Sequence, residues 1–287
     1  MRILILGISG MLGHMILKVL SQNHEHNLFA TYSKNFNSKK LSIENCNFNS
    51  FDAYNPESLI PLLDSSRPDV VINCIGIIKQ SNDGNNLTSL LQINSLFPRK
   101  LSMFCEAYDA RLIHFSTDCV FSGFKGMYKE NDMPDAEDNY GISKYLGEPS
   151  AMNSVCVRTS IIGHGLNGNS SLIDWFLSQE FDVPGYKNAI FSGLPTYEIG
   201  KIVSDYLLTN EICGLIHIGG DSISKFDLLT LVAREYEKEI SIIEDNTVKI
   251  NRSLDSSKFK SCTNYKPDSW PNLIKNMRIS ATTVHSL

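Results

Sequence analysis

The sequence predicts an α/β fold, a doubly wound parallel sheet followed by a smaller C-terminal domain. Three observations predict it. Short apolar runs alternate with helix-patterned stretches through the first half, a glycine-rich turn joins the first run to the first helix, and the alternation weakens after residue 163. Strands are expected at Arg2 to Leu6, Leu28 to Tyr32, Val70 to Cys74 and Arg111 to Phe115. Between them, Leu12 to Leu20 and Leu87 to Tyr108 carry helical spacing of apolar residues, with Asn86 and Thr88 near a helix start. Ser154 to Ile162 reads as a sixth strand, Gly163 to Ser171 as a loop leaving the sheet, and Gly214 to Ile218 as one more buried strand. From Ser222 onward helix and loop signals mix, as a small cap over the strand ends would require. The expected division is therefore a first domain of 1–163 and 190–218 and a second of 164–189 and 219–287.

At 287 residues the chain can bury a substantial core, and 42% hydrophobic against 20% charged residues is the balance of a globular enzyme. A net charge of -5 without basic clusters argues against nucleic acid as partner, because displacing counterions from phosphates needs grouped Lys and Arg. The apolar opening Ile3 to Leu6 is too short for a membrane span and runs into glycines instead of a cleavage site, so a cytoplasmic protein is expected. Seven scattered cysteines without a Cys-x-x-Cys pair fit reduced thiols, and the seven histidines form no ligand pattern, so no metal is expected.

Directly after the first strand stands Gly7-Ile8-Ser9-Gly10-Met11-Leu12-Gly13. Glycine at the first place permits a tight turn, at the second lets a pyrophosphate approach the backbone, and at the third allows close helix packing, with the helix N-terminus facing the phosphates. Gly7, Ser9, Gly10, Met11, Leu12 and Gly13 are thus candidate cofactor residues, in a Gly-x-x-Gly-x-x-Gly spacing used by short-chain dehydrogenases. The second strand ends Thr31-Tyr32-Ser33-Lys34, without the acidic residue that binds free ribose hydroxyls. Small hydroxyls and a cation at Tyr32, Ser33 and Lys34 suit a 2′-phosphate, so NADP is favoured, with NAD the alternative. Asp52 is placed either to accept from the adenine amino group or to cap a helix before Pro56.

Tyr140 and Lys144 stand four apart, which on a helix puts phenol and ammonium on one face. A phenol titrates near pH 10, and an adjacent ammonium stabilises its phenolate and tunes it as an acid. Upstream, the strand ending at Phe115 runs into Ser116-Thr117-Asp118, at the carboxyl end where α/β sheets place their sites. Thr117 is the expected holder of a substrate carbonyl, with Ser116 the fallback; either could instead be a turn hydroxyl bonding its own backbone.

These residues resemble the dTDP-4-dehydrorhamnose reductases and their relatives among the extended short-chain dehydrogenases. The likeness runs through Gly10-Met11-Leu12-Gly13, Pro68 to Cys74, Ser116 to Gly123, Tyr140 to Glu148, Arg158-Thr159-Ser160 and Gly193-Leu194-Pro195-Thr196. It implies a Rossmann-type domain carrying NAD(P), a smaller C-terminal domain binding a nucleotide sugar, and a catalytic set of Thr117, Tyr140 and Lys144. It further implies that Asn73, Cys74, Ile75, Gly76 and Ser116 line the cofactor, that Lys144 reaches the nicotinamide ribose, and that Thr159 follows the sixth strand beside the nicotinamide. Lys79, Asp118 and Thr196 are the expected substrate contacts, although Pro195-Thr196 reads equally well as a turn before a helix near Tyr197.

The chain departs from the family pattern at Ile77-Ile78-Lys79-Gln80, where small residues are usual, and at Cys119, where the rhamnose enzymes carry Tyr. The implied reaction is NAD(P)H-dependent reduction of the 4-keto group of a nucleotide-linked 6-deoxyhexose, in surface polysaccharide synthesis. Related 4,6-dehydratases place an Asp-Glu pair after the catalytic Thr, and Cys119 in the second place disfavours elimination. Epimerisation at C4 and a non-catalytic NADP-binding regulatory subunit remain alternatives. The expected partners are a nucleotide sugar and, at most, a second copy of the chain as a homodimer, with no nucleic acid and no membrane.

Overall fold

The computed structural model describes residues 1–34, 36, 43, 45–79, 83–166 and 171–282. Its described residues divide into two compact units, Met1–Ser116 with Glu137–Val157 and Gly200–Leu215, and Thr117–Ala136 with Arg158–Ile199 and Ile216–Leu287.

In the first unit the chain runs β1 (Arg2–Leu6), α1 (Met11–Leu20), β2 (Asn27–Tyr32), β3 (Cys46–Ser50), α2 (Ile60–Ser66) and β4 (Val70–Asn73). It continues through α3 (Leu87–Leu90), a π-helical turn (Leu91–Leu96), α4 (Phe97–Ala107), β5 (Arg111–Phe115), α5 (Asn139–Leu146) and β6 (Ser154–Arg158). Among the described residues seven strands form one sheet, in the order β11-β6-β5-β4-β1-β2-β3 with β11 at Gly214–His217, and every ladder from β3 to β6 is parallel. A sheet covered on both faces needs strands that are apolar throughout. Ile3 to Leu6 and Val70 to Ile72 answer that need, all at most 4% exposed. Leu4, Leu6, Val71 and Leu112 pack with Phe97, Leu101 and Cys105 of α4 into one core cluster. Strand order reverses between β1 and β4, so their carboxyl ends diverge into the crevice where such sheets bind ligands.

The second unit is built of short pieces. They are β7 (Ile161–Ile162), α6 (Leu172–Ser178), β8 (Val183–Tyr186), β9 (Ala189–Phe191), β10 (Leu194–Pro195) and α7 (Thr196–Ile202), the last of which runs on into the first unit. After these come β12 (Ile223–Ser224), α8 (Lys225–Glu235), β13 (Ile242–Asp245), β14 (Ile250–Asn251), α9 (Ser257–Thr263) and α10 (Trp270–Thr282). β9 lies between an antiparallel β12 and a parallel β14, while β13 pairs with β8 and β10 with β7.

Two expected elements are corrected. Ser154 to Ile162 is not one strand: the chain leaves the large sheet after Arg158, Thr159 Oγ1 donates to the Ser160 carbonyl, and Ile161–Ile162 pair with Leu194–Pro195. An apolar run does not reveal which sheet it joins. Leu87 to Tyr108 is not one α-helix either, because Pro98 has no N–H to return to the Asn94 carbonyl and the preceding turn widens to a π-helix. Of the loop expected at Gly163 to Ser171, residues 167–170 lie outside the described residues.

Gly13 holds α1 against the strand end. A methyl group there would lie 2.4 Å from the Gly7 oxygen and 2.8 Å from its carbonyl carbon, both backbone atoms. Gly13→Ala is therefore expected to destabilise the protein by about 1–3 kcal/mol, the usual cost of overpacking. Urea unfolding reads this directly, and an unchanged midpoint would contradict the packing described.

Candidate active site

The glycine loop is fixed by the end of β2. Gly7 and Ile8 both donate N–H to the Thr31 carbonyl, at 3.1 and 2.9 Å, and Gly7 N also lies 3.3 Å from Thr31 Oγ1. Gly7 makes the turn at φ +87°. Ile8, Leu12 and Gly13 are buried, Ser9 and Met11 half-buried and Gly10 exposed, so the accessible edge of the loop is Ser9-Gly10-Met11. Gly10 begins α1 with no side-chain cap, and the first turn carries no acidic residue. The N–H groups of the first helical turn and the positive end of the helix suit a phosphate.

Beyond Thr31, Tyr32 is half-buried, and Ser33 and Lys34 are exposed. Asp52 does not cap a helix: its Oδ1 accepts from Tyr54 N at 3.1 Å and its carbonyl from Asn55 N, making the turn ahead of Pro56–Leu59. That alternative role is corrected accordingly.

The segment after β4 is organised by two buried asparagines. Asn73 Oδ1 accepts from Ile75 N at 3.0 Å, and its amide lies 3.0 Å from Nδ1 of fully buried His114. Burial first, and then the Lys144 charge, hold His114 well below the usual imidazole range, so it is neutral. Asn94, on the π-helical turn, accepts from Ile77 N at 2.9 Å and donates to the Ile77 carbonyl at 3.0 Å and Ser143 Oγ at 3.2 Å. It ties the cofactor-side loop to α5. Neither Asn94 nor His114 belongs to a sequence motif, and the one local signal for Asn94 is Pro98 four residues on, which interrupts the helix.

Asp138 caps α5, its Oδ1 accepting from Gly141 N at 2.9 Å. Tyr140 is half-buried at the helix start, and Lys144, one turn on, is 5% exposed. The Lys144 ammonium donates to the Phe115 carbonyl at 2.7 Å. Burial lowers its pKa to about 8, with Cys156, Glu148 and Cys74 opposing the shift. Gly76 lies beside it, since a methyl group there would stand 3.6 Å from Nζ. Ser116 Oγ donates to Glu148 at 2.7 Å. Lys79 pairs with Asp138 at 2.7 Å and lies 5.8 Å from the centre of the Tyr140 ring; its expected neighbour Gln80 lies outside the described residues. The first unit thus brings together the glycine loop, the segment Asn73 to Gly76, Ser116, Tyr140 and Lys144.

The second unit holds the rest. Thr117 Oγ1 accepts from Cys119 N at 3.1 Å and donates to Asp118 Oδ1 at 3.2 Å, so its hydroxyl shapes the turn Asp118–Val120. Asp118 is 5% exposed, and burial raises its pKa against the influence of Arg252, the Cys119 and Thr117 hydrogen bonds, and Lys225. Arg252 donates Nε to the Phe121 carbonyl at 2.8 Å and sets Nη1 3.8 Å from Cys119 Sγ. Thr159 is 4% exposed. Thr196 is 1% exposed and opens α7, packed against Gly163, where a methyl group would lie 2.5 Å from its Oγ1. Arg158 stacks over the Phe121 ring at 5.1 Å.

The family described as the RmlD substrate binding domain matches residues 1–176. The chain is 25% identical over 308 residues to a dTDP-4-dehydrorhamnose reductase of Aggregatibacter actinomycetemcomitans, covering 98% of this chain and 99% of that one. It is 28% identical over 194 residues to the spore coat polysaccharide biosynthesis protein SpsK of Bacillus subtilis, covering 63% and 66% respectively. A crystal structure of dTDP-4-dehydrorhamnose reductase from Bacillus anthracis in complex with NADP matches with a TM-score of 0.77 at 19% identity, covering 97% of each chain.

Asn73 serves a part-buried backbone N–H and a buried histidine at once. Asn73→Ala leaves both unsatisfied, and a loss of about 1–3 kcal/mol in denaturant unfolding is expected. A loss near zero would mean that these bonds do not shape the segment.

Proposed function

We propose that this chain, a member of the RmlD substrate binding domain family, reduces the 4-keto group of a nucleotide-linked 6-deoxyhexose with a nicotinamide cofactor. The setting is cytoplasmic synthesis of a surface polysaccharide sugar. The observation that carries the reading is Lys144: an ammonium buried at a strand end, one turn after a half-buried phenol on the same helix. A structural lysine is rarely buried in this way, and its one-turn spacing from Tyr140 is what carbonyl proton transfer needs.

The residues present fit a dinucleotide. An uncapped helix start, a loop edge without side chains at Gly10, and Gly13 packed onto Gly7 form a phosphate cradle. Ser9 to Leu12 hold the pyrophosphate, Tyr32, Ser33 and Lys34 the adenosine ribose, Asp52 the adenine, and Asn73 to Gly76 with Thr159 the nicotinamide side. The bound nicotinamide supplies a hydride to the sugar carbonyl. Tyr140 gives its hydroxyl proton to the alkoxide that forms at C4. Lys144 stabilises the phenolate left on Tyr140 and binds the nicotinamide ribose. Thr117 and Asp118 orient the sugar, and Lys79 bears on which sugar is accepted. Thr196, packed on Gly163 at the start of α7, is the further substrate contact of this reading.

Turnover is tested with nucleotide-linked 4-keto-6-deoxy sugars made in situ by a dehydratase, following net loss of reduced cofactor. Stoichiometric consumption is expected; product without net consumption would mean epimerisation, and binding without turnover a regulatory chain. Tyr140→Phe is expected to lower kcat by about 10²- to 10⁴-fold with cofactor affinity within a few fold, and full activity in that variant would defeat the mechanism.

NADPH should bind more tightly than NADH, and Lys34→Glu should narrow or reverse the preference by setting a carboxylate against the 2′-phosphate. Titration of both cofactors by fluorescence quenching decides it, with equal affinities in the native protein counting against the assignment.

A further inference from the structure

Glu148 follows α5 by two residues, its N–H still bonded to the Tyr145 carbonyl at 3.1 Å. Its carboxylate accepts the Ser116 hydroxyl at 2.7 Å. The ammonium of Lys144 takes the carbonyl of Phe115, the residue before. Consecutive residues at the end of β5 are thus gripped from one helix, by its lysine and by a carboxylate just past its end. This also accounts for Ser116, whose proton is directed to Glu148. We propose that Glu148 is a positioning residue for the reduction proposed above. It fixes the end of β5 through Ser116 and supplies the negative charge that keeps the buried Lys144 ammonium protonated beside Tyr140. The proposal rests on Lys144 serving that proton transfer.

Of the groups around Lys144, Cys156 opposes the lowering of its pKa most and Glu148 next. Cys74 faces it from the end of β4, His114 from β5 and Cys156 from β6, while Tyr140 and Glu148 flank it along its own segment. Burial pushes the Cys74 thiol up, so it carries no charge, and His114 is neutral. Glu148 is the carboxylate among them. Lys144 works in its protonated form, so its contribution is present below its pKa of about 8 and lost as pH rises through that value. Removing the Glu148 charge lowers that pKa and moves the loss to lower pH.

The test reads Lys144 directly. In the full chain labelled with ¹³C at lysine Cε, the Lys144 signal is assigned with Lys144→Arg and titrated by NMR. Glu148→Gln keeps an acceptor for Ser116 but removes the charge, and its midpoint should fall below that of the native protein. Ser116→Ala should leave the midpoint in place. Glu148→Asp, which keeps the charge, should titrate with the native protein and serves if the glutamine variant does not fold. In kinetics, the Glu148→Gln loss of kcat/KM should be larger at pH 9 than at pH 6.5 by on the order of 3- to 10-fold. An unmoved Lys144 midpoint in Glu148→Gln overturns the proposal, as does an equal fall in Glu148→Asp. A midpoint that moves in a protein reducing no keto sugar supports the placement of Glu148 and defeats the reading of the reaction instead.

Discussion

An ammonium ion withdrawn from water costs several kcal/mol unless hydrogen bonds and opposite charge replace its hydration. The first unit is arranged around that cost at Lys144. The Phe115 carbonyl accepts a hydrogen bond from it, and its helix is fixed at the start by Asp138 and along its length by Asn94 and Ser95 bonding to Ser143. The same burial that threatens stability brings the ammonium's titration down to about 8, so its charge is still present at neutral pH and is lost as pH rises through that value.

The opposite side of the crevice solves a different problem, that of holding a glycine-rich loop in place. Thr31, the next-to-last residue of β2, receives two backbone N–H groups from the loop, so the position of the helix start follows from the register of β1 on β2. Asn73 and Asn94 do the same for the segment after β4, replacing missing ladder partners with side-chain amides. Strand ends thereby act as fixed mounts, and little of the site depends on loop packing.

Much of this was legible in the sequence because it has a period or a motif. Ile3 to Leu6 in β1 and Val70 to Ile72 in β4 are continuous apolar runs, the glycine spacing sits between a strand and a helix, and Tyr140 and Lys144 declare their shared face by separation alone. What escaped lacks any local signal. The two-residue strands β7, β10, β12 and β14 are too short to show alternation. Ser116 and Glu148 are 32 residues apart, and nothing in either neighbourhood names the other. Asp52 and Thr117 are residues whose side chains serve a turn and a ligand equally well, so composition does not choose between the roles.

The widened turn at Leu91–Leu96 has a bearing on how this sequence can change over time. A π-helical turn contains one residue more than the α-helix it interrupts. Losing a single residue there would heal the helix into a regular ladder, yet every side chain on one flank would rotate by roughly 100° relative to the other. Asn94 would then turn away from Ile77 and Ser143. A one-residue deletion that improves the helix as a helix would thus detach it from the site, and insertions and deletions within this stretch should be rejected where substitutions on its exposed face, such as at Leu96 or Met103, are tolerated.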